Sequence, residues 1–280
     1  MKKLLTIVLL LVILMSAFSG CKGNAKNNGE NGITVTIDAN GKANGNHRFS
    51  KIDDTTFYID DIRYTARNGD LIVSGFDEAY FKGEAKLISQ LNYDGRTMRV
   101  LAINEMAFND CKVLTSIIIP PGVTSIGKKA FAGCWELTSV SIPNSVTTIG
   151  ESAFTGCSKI TSINLPEHLT SIGKCAFMGC AGFTTITIPQ GVTKIEDMSF
   201  SSCLKLAYVT IPENVTSIEM GAFLACDGLK YIKIKAKMPP VINMMTFANH
   251  ANPTLSVPLG CKSAYESAQY WNVFKEIIEE

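Results

Sequence analysis

A five-residue phrase returns every 23 residues and limits the fold more than any other feature of this chain. Ala130-Phe131-Ala132-Gly133-Cys134 is followed by Ala153-Phe154-Thr155-Gly156-Cys157 and Ala176-Phe177-Met178-Gly179-Cys180. Further copies stand at Ala107-Phe108-Asn109-Asp110-Cys111, Ser199-Phe200-Ser201-Ser202-Cys203 and Ala222-Phe223-Leu224-Ala225-Cys226. A last, altered copy comes 24 residues on, as Thr246-Phe247-Ala248-Asn249-His250. A fixed period this short predicts a solenoid, whose units bury their apolar faces only by stacking on one another.

Each unit divides further. Leu137, Val140, Ile142 and Pro143 follow Cys134, and the same spacing gives Ile160, Ile163, Leu165 and Pro166 one unit later. Phe183, Ile186, Ile188 and Pro189 continue it, then Leu206, Val209, Ile211 and Pro212. Alternation rich in β-branched residues predicts a short strand with one buried face. Proline lacks an amide donor, so it stops the ladder and turns the chain. A second apolar pair follows, Val123/Ile126, Val146/Ile149, Val192/Ile195 and Val215/Ile218, before the next phrase. The fold class is therefore a mostly β solenoid, with its phenylalanines (Phe108, Phe131, Phe154, Phe177, Phe200, Phe223, Phe247) as an inward spine.

The spacing is that of a leucine-rich repeat, L-x-x-L-x-L, with cysteine at the usual Asn/Cys position. The I-P…V-T-S-I-G…A-F…C…L-T-S wording resembles the bacterial BspA-like leucine-rich-repeat family over residues 97–258. The resemblance implies a cell-surface or secreted binding protein, often linked to adhesion to host proteins or other cells.

At the start, Lys2 and Lys3 precede an apolar run at residues 4–15, too short for a membrane span of ~20 residues. This fits a signal peptide over residues 1–20. Ser19-Gly20-Cys21 resembles a lipobox with Phe18 in place of the usual leucine, which makes Cys21 the lipidated mature N-terminus. Plain cleavage, with Cys21 an incidental thiol, is the alternative. Residues 21–31 read as the lipidated cysteine and a polar tether. Residues 32–96 read as a β-hairpin cap, with turns at Asn40-Gly41, Asp60-Asp61 and Asn68-Gly69. Residues 259–280 read as a C-terminal cap, a short helix capped by Ser263 and running through Tyr265 and Tyr270 towards Ile277. The expected location is the bacterial envelope, lipid-anchored, with the outer surface favoured over the periplasm.

Little in the chain points to chemistry. Removing Lys2 and Lys3 from the 26 basic residues leaves 24 against 25 acidic ones, which offers no electrostatic footprint for nucleic acid. Six of the nine cysteines (Cys111, Cys134, Cys157, Cys180, Cys203, Cys226) recur once per coil. Their side chains should run parallel at ~4.8 Å, whereas a disulfide needs Cβ atoms converging to ~3.8 Å. They read as a column of buried thiols, neither bridged nor a zinc site. Cys175 and Cys261 fall outside the column, and no bond between them is expected. His47, His168 and His250 are scattered, and Asp53-Asp54 and Asp60-Asp61 lack a calcium-hand loop. No enzyme, metal or cofactor is expected.

Two roles follow. The first is a monomeric, tethered recognition module for an extracellular protein or glycan, touching the membrane only through its lipid. The second is a structural or accessory envelope lipoprotein that binds no ligand strongly. A binding module should concentrate unusual exposed residues on one face, whereas a spacer should scatter them. Outward strand positions are Ile118, Ser141, Asn164, Thr187, Thr210 and Lys233, and, two residues earlier in each strand, Ser116, Ser139, Ser162, Thr185, Tyr208 and Tyr231. Tyr208, Tyr231, Lys230 and Lys233 break the Ser/Thr pattern, so these four with Thr210 form the candidate ligand patch. Trp135, on a turn, is the fallback site.

Overall fold

A computed structural model describes residues 32–248, 252–274 and 276–280. The expected signal peptide, Cys21, the expected tether and His250 lie outside the described residues. The chain winds as a mostly β solenoid of 23-residue coils stacked through two parallel strand ladders. Register repeats with the sequence period: Ser116 pairs with Ser139 and Ile126 with Ile149.

The third side of each coil is the Ala-Phe turn. Its two flanks take left-handed backbone, at Lys129, Ser152, Cys175 and Met198 before the phenylalanine and at Asp110, Gly133, Gly156 and Gly179 after it. This bend lets each phenylalanine amide donate to the next coil: Phe131 to Ala153 (2.8 Å), Phe154 to Ala176 (2.7 Å), Phe177 to Ser199 (2.8 Å), Phe200 to Ala222 (2.9 Å). The rings stack face to face, with centroids 5.1–5.5 Å apart from Phe108 to Phe247. All lie in the core. Burial of one such side chain per coil contributes about 1.5–3 kcal/mol.

Parallel pairing reaches back before the first phrase. The hairpins at Asp60-Asp61 and Asn68-Gly69 place both turn residues at positive φ, the geometry that matches strand twist. Their last strand, Asp70–Phe76, pairs in parallel with Arg96–Ile103, and Glu84–Lys86 does so with Ser116–Ile118. Residues 70–87 thus form a coil without the repeated phrase, and Phe76 extends the ring column onto Phe108 at 5.7 Å.

The C-terminal cap differs from expectation. The helix spans only Lys262–Ser267, and its N-cap is Cys261, not Ser263. The Glu279 carboxylate accepts from the Lys262 amide at 2.8 Å and fixes the helix start. A 3-10 turn, Trp271–Val273, follows, and then a strand, Glu276–Glu279, in place of more helix. That strand pairs with Thr254–Val257 and carries the ladder one strand further. Buried Tyr265 and Trp271 close the last coil, donating to the carbonyls of Ala236 (2.7 Å) and Pro240 (2.9 Å).

A second difference lies mid-solenoid. The pattern predicts a strand near residues 160–165, yet the first ladder stops at Ser139–Ser141 and resumes at Thr185–Thr187. The second ladder stops at Ser171–Ile172 and resumes at Lys194–Ile195. The first ladder is thus open on both sides of residues 162–165 and the second only on the side of the following coil, while the phenylalanine side stays bonded throughout. Gly127, Gly150 and Gly173 press on the preceding coil, where an added Cβ would come within 2.5–2.7 Å of backbone. The next two coils carry Glu196 and Glu219 at this place, and the ladder is closed again at Glu219, whose amide donates to the Ile195 carbonyl at 2.9 Å, so the loss of this glycine does not by itself open the seam.

Candidate functional site

The first seam leaves an open surface. Among the described residues, no backbone hydrogen bond joins 162–165 to either neighbouring coil, and the last bond before them runs from the Thr184 amide to the Thr161 carbonyl at 3.3 Å. The inward apolar residues lose cover as a result. Ile142 and Leu165 are half-buried, whereas their equivalents Ile119, Ile188, Ile211 and Ile234 are 0–2% exposed. A groove of about 620 Å³ lies here. Ser162, Asn164, Thr185, Thr187 and Thr210 line its strand side, and Glu167, His168, Gln190 and Lys235 its turn side.

The patch expected from sequence adjoins this groove. Register places Thr185, Tyr208 and Tyr231 in one row and Thr187, Thr210 and Lys233 in the next. Tyr208 is 52% exposed and its ring lies 6.5 Å from that of Tyr231. Lys230 is exposed just before its strand. Tyr231 and Lys233 are partly engaged within the molecule: the Tyr231 hydroxyl donates to Glu280 at 2.5 Å, and Lys233 Nζ pairs with the same carboxylate at 2.7 Å. The Lys233 ammonium holds the Glu280 carboxyl down at about 2. Of the patch, Thr210 lines the groove, and Tyr208 pairs with Thr185 of its lining. Trp135 stands apart, exposed on a turn three coils earlier, with Lys112 Nζ 5.2 Å from its ring centre.

Gln190 and Lys235 were not named from sequence, Leu165 was read only as an inward strand residue and His168 as one of three scattered histidines. Their signal is positional: they stand at the strand end or just after it, so any groove over the strand ends meets them.

The cysteine column packs behind this face. The thiols of Cys134, Cys157, Cys180, Cys203 and Cys226 each donate to the phenylalanine carbonyl of the coil before, at 3.1–3.4 Å. That carbonyl also accepts the amide of its own coil's cysteine, as from Cys134 to Phe131 at 3.3 Å. Burial pushes the Cys157 and Cys226 thiols up to about 12, and the others in the same direction. Such thiols stay protonated and unreactive in the folded protein. Among the described residues, no cluster of His, Cys, Asp and Glu is arranged to hold a metal.

The coils, ring column and ladders define a leucine-rich-repeat solenoid. The BspA type leucine rich repeat region matches residues 80–180 and 156–268 in six copies, and the chain belongs to this family. A leucine-rich repeat protein from Bacteroides ovatus is 35% identical over 73% of this chain, with a TM-score of 0.60. The match covers 56% of that protein's chain, so this chain spans little more than half its length. A T. pallidum leucine rich repeat protein is 25% identical over 70% of this chain and 83% of its own, with a TM-score of 0.57. No curated protein matches. BspA-type proteins are typically bacterial surface proteins, and solenoids of this kind are typically non-enzymatic scaffolds. No helix among the described residues is long and apolar enough to cross a membrane.

Proposed function

We propose that this protein is a lipid-anchored envelope lipoprotein that recognises an extracellular protein or glycan through the strand face of its solenoid, in an adhesion-type role. One observation carries the reading: the features that break the Ser/Thr regularity share a single face. Tyr208, Lys233 and the groove at residues 162–165 lie along one ladder. A rigid tyrosine with a polar tip is a side chain enriched at recognition hot spots. The bonds from Tyr231 and Lys233 to Glu280 favour the second reading, an accessory protein that positions other envelope components, because they serve the fold itself.

The anchor rests on the n-region, the apolar run and Ser19-Gly20-Cys21. Cys21→Ser should move the protein from the detergent phase to the aqueous phase on Triton X-114 partitioning, with its circular dichroism unchanged. A mutant that stays in the detergent phase contradicts lipidation. Protease shaving of intact cells should remove the wild-type domain if the anchor faces outward. For recognition, the full chain should bind saturably to a member of a panel of matrix proteins and polysaccharides. Tyr208→Ser should weaken that binding with unchanged melting temperature. A panel with no saturable binder speaks for the accessory role.

A further inference from the structure

We propose that the turns around Gly221 form a copper(I) site built from the thioethers of Met198, Met220, Met244 and Met245. The site stands apart from the strand face and from the recognition role. Three residues before each phenylalanine, from Phe108 to Phe200, the coils carry Glu105, Lys128, Glu151, Lys174 and Asp197, one sign alternating with the other. Lys128 pairs with Glu151 at 3.0 Å and Lys174 with Asp197 at 2.8 Å. The alternation then ends, and Met220 and Met244 hold the next two places. In the row beside it, two residues before the phenylalanine, Met198 and Met245 flank Gly221. Backbone bonds keep these turns in register: the amide of Met198 donates to Met220 (3.0 Å), that of Phe200 to Ala222 (2.9 Å) and that of Phe223 to Thr246 (2.9 Å). Met198 and Met245 therefore stand about 10 Å apart, twice the spacing of paired strands, with only a glycine between them.

Sulfur, not bulk, distinguishes this edge. Setting Met1 and Met15 aside from the ten methionines leaves eight, and five of these fall between positions 198 and 245. The core of the described residues is filled by Ile, Val, Leu and Phe, with Met98 its one methionine. Met220, Met244 and Met245 are exposed and Met198 is half-buried, so all four are open to an ion from solvent. The bare Gly221 leaves the Met198 side chain a path along the stack: its Cγ lies 3.3 Å from where a Gly221 Cβ would stand. Each methionine swings on three rotatable bonds, so sulfurs on neighbouring turns can close on one ion. Soft thioether donors select copper(I), whereas calcium and magnesium take oxygen ligands and zinc takes nitrogen, thiolate or carboxylate. The carboxylate nearest in sequence is engaged: Asp197 accepts from the Met220 amide at 3.2 Å and pairs with Lys174.

The test is a silver(I) titration of the full chain carrying Cys21→Ser, Cys175→Ser and Cys261→Ser, which removes every thiol outside the buried column. Ser152 already holds the place of Cys175 one coil earlier. Silver(I) shares the soft chemistry of copper(I) and is stable in air. The methionine methyl groups are labelled with carbon-13, and each is assigned by its own Met→Leu variant. Those of Met198, Met220, Met244 and Met245 should shift together and saturate with one ion per chain, while Met98 and Met106 stay in place. Copper(I), added with ascorbate under nitrogen, should shift the same four. Met220→Leu combined with Met244→Leu keeps the apolar bulk and should weaken binding about tenfold, or 1.4 kcal/mol, with an unchanged melting temperature. If that variant fails to fold, Met198→Leu with Met245→Leu serves in its place. Methyls that shift singly at unrelated concentrations, binding that the folded double variant does not weaken, or no shift at all overturns the site.

Discussion

Two glycines six residues apart show how differently one residue type serves this fold. Gly156 is needed for its conformation: φ is +76°, and an added Cβ would meet nothing nearer than 3.8 Å. Gly150 is needed for its size, because its Cβ would come within 2.7 Å of the Lys128 amide nitrogen in the coil before. Gly156→Ala should therefore cost only the left-handed penalty, about 1 kcal/mol. Gly150→Ala should cost about 3 kcal/mol, since backbone has to move. Urea unfolding of the two variants checks the order. The cysteine column makes a second prediction at this scale. Folding keeps Cys157 and Cys226 neutral up to about pH 12, against an ordinary value near 9. The stability this contributes is complete below pH 9 and is lost as pH rises towards 12, by up to about 1.4 kcal/mol per pH unit for each thiol. Denaturant midpoints should fall over that window, with a shallower fall in Cys157→Ala.

At the scale of elements, the repeat unit was legible because each coil states the whole pattern: phrase, strand, proline, second pair. What was not legible depends on neighbours. Residues 160–166 keep every position of the pattern, so nothing within them announces a lost strand. Nor does the next coil announce it: Glu196 replaces the glycine of Gly127, Gly150 and Gly173, but Glu219 does the same one coil on, where the ladder pairs. The last strand, Glu276–Glu279, read as helix because Trp271, Phe274 and Ile277 recur at helical spacing. Pairing with Thr254–Val257 overrode that weak local signal. The candidate patch was half legible. Alternation gave the outward residues, but the Glu280 carboxylate that binds Tyr231 and Lys233 arrives from 47 or more positions away.

Across the whole molecule, three columns tie each coil to the next, and they are not equivalent. The phenylalanine column is unbroken from Phe76 to Phe247, whereas the first strand ladder opens on both sides of residues 162–165 and the second on one. The solenoid is thus a continuous spine carrying a strand face with one gap, and the proposed recognition role places the ligand at that gap. Hydrogen exchange of the free protein, read by mass spectrometry at residue level, tests this most directly. The amides of 162–165 should exchange at rates typical of unbonded backbone, while those of Phe154 and Phe177, bonded across the same coils, and of Tyr208–Ile211 stay protected. Protection at 162–165 equal to that of Tyr208–Ile211 would mean that the ladder is closed, and the account of an open recognition face would fail.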